Sequence, residues 1–213
     1  MSEGIDCYFS FRSPYSYLAA QLAENALADF AVDLRLRPVL PLAIRDPAFF
    51  QQTNHDRVRY ILTDYPRRAQ MLGLPVGPIN PDPIVQNMTT FEIASEQPHI
   101  YRLTYLGVEA ELQGAGFAFA REVSRLIWSG TPHWNEGDHL AQAAMRVGLD
   151  LGAMDAAISS GTQHKDIVEA NQDRQLASGH RGVPLFVHRG EPFFGHDRID
   201  SLCWRLDKDG LRR

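Results

Sequence analysis

Every segment of this chain with strand character lies near one of its two ends, and the long stretch between them reads as helix. In Ile5-Asp6-Cys7-Tyr8-Phe9-Ser10-Phe11 the odd positions are all apolar, the period-two pattern of a strand. Ser13-Pro14 then marks a helix start, Ser suited to cap free N–H groups and Pro to the first helical position. Leu18, Leu22, Ala26 and Phe30 continue at near-helical spacing, and Val32 to Arg37 alternates again until Pro38 stops it. That is strand, helix, strand, with a connection long enough for a parallel crossover. At the other end, Leu185-Phe186-Val187-His188 and Pro192-Phe193-Phe194 flank Arg189-Gly190-Glu191, a short loop suited to a hairpin. Ile199, Leu202, Cys203 and Leu206 mark a last amphipathic helix. A lone βαβ unit or hairpin is hardly stable by itself, so the two ends must meet in one sheet. The predicted class is α/β, a βαβ…ββα core over 1–42 and 178–213 with a large all-helical insertion over 43–177.

Within the insertion, Val58, Ile61, Leu62, Tyr65, Ala69 and Leu72 trace a helical stripe that Pro66 is expected to kink or split. Further helices are expected near 86–96, 99–112, 115–129, 138–147, 153–160 and 164–177. Gly73 to Pro83, with four prolines and two glycines, reads as a loop.

With 213 residues, 44% of them hydrophobic and 22% charged, the chain has material for a proper core. A net charge of −5 argues against nucleic acid or an anionic membrane surface as partner. The best basic cluster, Arg67-Arg68, reads as a solvated helix face. No apolar run reaches the roughly 20 residues needed to span a bilayer. The first residues show no secretory pattern, and Cys7 and Cys203 lie far apart, so a cytoplasmic, reduced protein is expected.

Three places offer chemistry. Phe11-Arg12-Ser13-Pro14-Tyr15-Ser16 lies where a strand gives way to a helix, and a helix N-terminus stabilises an anion such as a thiolate. Ser13 is either a plain cap there or an O–H donor to such an anion. In Gly182-Val183-Pro184, the proline opens an ordinary edge strand or forms a cis bond that leaves the Val183 N–H and C=O free for a peptide-like ligand. In Gly195-His196-Asp197-Arg198, Asp197 either caps the last helix or receives a ligand ammonium group. His133 and His139 flank a turn and read as solvated, while Trp128 and Trp134 read as core. No zinc motif, phosphate loop or Gly-x-Ser-x-Gly elbow is present.

In this order, YFSFRSPYSYLA (8–19), GVPLFV (182–187) and FGHDRID (194–200) resemble the 2-hydroxychromene-2-carboxylate isomerase family. That family sits with kappa-class glutathione transferases in the DsbA-like branch of the thioredoxin superfamily. The resemblance implies a thioredoxin-like core, glutathione as cofactor, a small aromatic substrate and a homodimer. It implies that Ser13 activates the glutathione sulfur beside Pro14 and Tyr15. Val183, before a cis Pro184, would pair with the cysteinyl part, and His196 and Asp197 would hold the γ-glutamyl end. Where kappa-type members carry an Asn this chain has Thr63, before Asp64; Asn54 is a second source of an amide, and Arg12 a candidate for the substrate carboxylate. DsbA-type oxidoreductases carry Cys-x-x-Cys where this chain has Ser13-Pro14-Tyr15-Ser16, and serine cannot perform thiol–disulfide exchange. The expected activity is isomerisation by reversible thiolate addition, ring opening and elimination. A kappa-like transferase and a non-catalytic binding or chaperone module of the same fold are the alternatives.

Overall fold

The computed structural model describes residues 3–47 and 55–213, with no side-chain description for His55. Strand β1 (Glu3–Phe9), helix α1 (Pro14–Leu27) and strand β2 (Val32–Pro38) form the N-terminal unit. Strands β3 (Leu185–His188) and β4 (Glu191–Phe194) return at the C-terminus, followed by a 3-10 turn (His196–Arg198) and the last helix. The sheet order is β2-β1-β3-β4, with β1 parallel to β2 and antiparallel to β3. The two ends of the chain therefore meet along β1, where Cys7 faces Phe186 and Tyr8 faces Leu185. The hairpin turns over Arg189 and Gly190, both at positive φ (50° and 84°), the pairing that suits the twist of two antiparallel strands.

Between the strand pairs lie α2 (Leu42–Arg45), α3 (His55–Met71), α4 (Ile100–Leu112), α5 (Gly116–Trp128), α6 (His139–Met145), α7 (Leu151–Ile158) and α8 (Gln163–Ala177). The last helix, α9, runs Ile199–Lys208. Five of the expected insertion helices appear within two or three residues of their predicted limits. The expected helix at 86–96 does not form. Asn87 instead accepts from the Thr89 and Thr90 N–H groups through its side chain, and Gln86 bridges to Ile93. A short side-chain turn of that kind competes directly with helix. Helix α3 is not split at Pro66. The carbonyl deprived of a donor belongs to Leu62, on an exposed stretch where water can serve it.

One face of β1 sends Ile5, Cys7 and Phe9 into a core shared with α1, α4, α5, α6 and α9. Helix α5 buries Phe119, Ala120, Val123 and Ile127, at the spacing of one helical face, and Phe119 meets Phe11 edge-on. The other face carries Tyr8 and Leu185 with Val39, and the Tyr8 hydroxyl lies beside Arg174 and Ser178 at the end of α8. Trp128 and Trp134 are buried as expected, and each donates its indole N–H to a backbone carbonyl, Phe11 and Pro81 respectively. The Trp134 bond, the Tyr17 hydroxyl on Pro75 C=O and the Gly77 N–H on Trp128 C=O tie down the proline-rich loop 73–83. Among the described residues, no helix is long and apolar enough to cross a membrane.

Candidate active site

The chain leaves β1 through a turn in which the Ser13 N–H bonds to Ser10 C=O at 3.0 Å. Ser13 is extended (φ −97°, ψ 118°) and caps α1, its Oγ accepting from the Ser16 N–H at 3.1 Å, with Pro14 following in the first turn. The Ser13 hydroxyl also donates to Val183 C=O, but at 3.4 Å. That is longer than a good O–H···O bond, so the proton is available to a stronger acceptor. Among the described residues the Tyr15 N–H has no acceptor, which leaves a second donor at the positive end of the helix.

The Val183–Pro184 bond is cis, and among the described residues the Val183 N–H makes no hydrogen bond. Pro184 C=O accepts from the Gly195 N–H at 2.9 Å, which fixes the start of the last helical segment against this loop. Gly195 has φ 109° and ψ 152°, a conformation open essentially to glycine, and a Cβ there would stand 2.4 Å from Asp197 Oδ1. Asp197 is exposed and pairs with Arg198 at 3.3 Å; it makes no capping bond, so its carboxylate is not spent on the helix.

Helix α3 supplies the opposite wall. The Tyr15 hydroxyl donates to Asp64 Oδ2 at 2.8 Å, while Asp64 Oδ1 accepts from Arg67 at 2.6 Å and from Tyr60 at 3.3 Å. Burial disfavours the charged Asp64, but the bonds from Arg67 and Tyr15 outweigh it and hold the carboxyl below its ordinary range. Burial and the same carboxylate push the Tyr15 hydroxyl up. The Tyr15 ring stacks on His196, 5.3 Å between centroids and 6° between planes. His196 Nε2 in turn accepts from Arg68 Nε at 3.1 Å. Burial and the Arg68 charge, opposed by Asp197 and Asp64, lower its pKa, so the ring is neutral near pH 7.

The chain matches the DSBA-like thioredoxin domain family over residues 4–207. It belongs to that family. It is similar to a 2-hydroxychromene-2-carboxylate isomerase of Pseudomonas putida, 24% identical over 206 residues that cover 93% of this chain and 91% of the relative. A solved 2-hydroxychromene-2-carboxylate isomerase shares the fold with a TM-score of 0.70, at 22% identity and 97% coverage of both chains. The cytosolic disulfide reductase DsbM of Pseudomonas aeruginosa, also solved with GSH, shares it with a TM-score of 0.61 at 18% identity, covering 97% of this chain and 98% of the other.

In this DSBA-like chain neither cysteine lies at the helix start. Cys7 is fully buried in β1, where burial pushes its thiol far up. Cys203 lies on α9 with its Sγ on Ala26 C=O, about 20 Å from Ser13 at the rise of an α-helix. The fold brings together Ser13, Pro14, Tyr15, Val183, Pro184, His196 and Asp197. It does not bring Thr63: that hydroxyl donates back to Arg59 C=O, and the residue is exposed. Its neighbour Asp64 holds Tyr15 instead, because adjacent helical residues point about 100° apart. Arg12 is committed to Asp82 through two bonds of 3.1 and 3.2 Å. Asn54 lies outside the described residues. Of Arg67 and Arg68, expected on a solvated face, Arg67 is exposed while bonded to Asp64, and Arg68 is half-buried against His196. One residue before Val183, Gly182 lines an open cavity of about 450 Å³ together with Arg57, His180 and Arg181.

Proposed function

We propose that this chain is a glutathione-dependent isomerase acting on 2-hydroxychromene-2-carboxylate or a similar conjugated aromatic acid. The observation that carries the reading is Ser13: a hydroxyl at a helix N-terminus, weakly bonded to Val183 C=O, in a motif without a thiol. A DSBA-like site of this composition cannot exchange disulfides, yet it retains the donors that stabilise a thiolate brought from outside.

Glutathione, when bound, supplies a thiolate that adds reversibly to a conjugated carbon, so that a bond can rotate before the thiol is released unchanged. The protein's part is to hold that sulfur and raise its acidity. Ser13 Oγ and the Tyr15 N–H direct donors to it, at the end of α1 where the helix field favours negative charge. A tenfold gain in thiolate corresponds to about 1.4 kcal/mol, within the reach of one charge-assisted hydrogen bond. Val183 offers an N–H to the cysteinyl backbone, and its C=O is held by Ser13 only loosely. Asp197 accepts from the γ-glutamyl ammonium. The basic lining of the cavity beside Gly182 suits an acidic substrate.

The test is a thermal shift followed by mass balance. Glutathione at about 100 times its Kd should stabilise the chain by about 2.7 kcal/mol, and no shift would remove the proposal. With 2-hydroxychromene-2-carboxylate, full recovery of free glutathione beside the isomer supports an isomerase. A retained adduct would instead make the chain a transferase.

A further inference from the structure

We infer that Arg68, bonded to His196, receives the α-carboxylate of the γ-glutamyl head of glutathione while Asp197 takes its ammonium, and so selects for that zwitterionic head. This deepens the reading above and rests on it.

The guanidinium groups around the site differ in what they hold. Arg12 is paired with Asp82, Arg67 with Asp64 and Arg198 with Asp197. Arg68 has no carboxylate partner among the described residues. Its Nε donates to His196 Nε2 at 3.1 Å, and one terminal nitrogen lies 3.3 Å from the Met71 sulfur, a weak acceptor. Both partners are neutral, so among the described residues this half-buried guanidinium has no carboxylate bonded to it and one terminal nitrogen unused. Asp197 is the next residue after His196 and its carboxylate is exposed, so the turn that Arg68 holds through His196 also carries an anion. An ammonium and a carboxylate on a single carbon match that arrangement, and a planar guanidinium suits a carboxylate.

The experiment is calorimetric titration of the full chain with glutathione, with γ-aminobutyryl-cysteinylglycine, which lacks only the α-carboxylate, and with glutaryl-cysteinylglycine, which lacks only the ammonium. The unaltered protein should bind the decarboxylated peptide about 10- to 100-fold more weakly than glutathione. Arg68→Met should weaken glutathione by a similar factor and leave the decarboxylated peptide unchanged; Arg68→Lys should recover part of the loss. The glutaryl peptide should still respond to Arg68→Met. Equal weakening of all three peptides by Arg68→Met, or equal binding of glutathione and the decarboxylated peptide by the unaltered chain, would overturn the inference alone. Failure of the unaltered chain to bind glutathione would remove the proposed function and this inference together.

Discussion

Ser13 performs two jobs with one oxygen, and they separate by mutation. As acceptor from the Ser16 N–H it caps α1; as donor it reaches Val183 C=O over a long 3.4 Å. Ser13→Ala removes both, so stability should fall by about 1 kcal/mol, the ordinary value of a lost cap, while the protein stays folded. Turnover should fall far more than that stability loss explains, and activity near that of the unaltered chain would sink the assigned role. Ser13→Cys tests the helix end without any substrate. The introduced thiol should titrate well below the ordinary value of about 8.5, followed by thiolate absorbance. The native cysteines will not interfere, because burial pushes both of them upward. An introduced thiol that titrates at or above the ordinary value would show that the helix terminus does not favour an anion there.

At the scale of elements, the site is a junction of three: the start of α1, the loop entering β3 and the turn entering α9. The bond from Gly195 N–H to Pro184 C=O joins the last two. Gly195 needs a conformation that L-residues avoid, and a side chain there would meet the Asp197 carboxylate. Gly195→Ala should therefore cost about 1–3 kcal/mol in urea unfolding and weaken glutathione binding by displacing Asp197. Unchanged stability would mean that the turn relaxes freely. Helix α3 contributes through Asp64, whose ionised carboxylate fixes the Tyr15 hydroxyl while Tyr15 in turn stacks on His196. The site wall is thus a chain of contacts from Arg67 to Arg68 that begins and ends on the same helix.

For the molecule as a whole, the buried His196 links the site to acid stability. Its folded pKa lies below the ordinary histidine value of 6.5, chiefly because burial disfavours the charged ring. The unfolded chain therefore binds the proton more readily, so the contribution is fully present above pH 6.5 and is lost as pH falls through the folded value. His99 and His180 shift the same way, also through burial, and remain in either protein. His196→Asn should be less stable than the unaltered chain at about pH 7.5 to 8, and the gap in Tm should narrow on acidification. A gap that stays constant down to about pH 5 would show an unshifted imidazole.

Much of this architecture was legible in local pattern. The alternation of 5–11 and 32–37, the Ser13-Pro14 start and the apolar pairs around Arg189-Gly190 are signals carried by neighbouring residues, and the strands formed where those signals lie. The meeting of the chain ends followed from the instability of each half alone. Local pattern misread 86–96 because the side chain of Asn87 took the backbone donors that a helix would have used. The resemblance pointed to Thr63 and Arg12, where the folded chain uses Asp64 and, among the described residues, leaves Arg68 without a carboxylate partner. Those identities depend on which side of α3 is turned towards Tyr15 and on which guanidinium finds a distant carboxylate, as Arg12 finds Asp82. The sequence by itself determined most of the elements and the thiol-free motif, because capping, periodicity and residue chemistry act over a few residues. Only the tertiary structure decided the partners, because one residue along a helix turns a side chain by about 100°, and docking alone settles which direction faces the site.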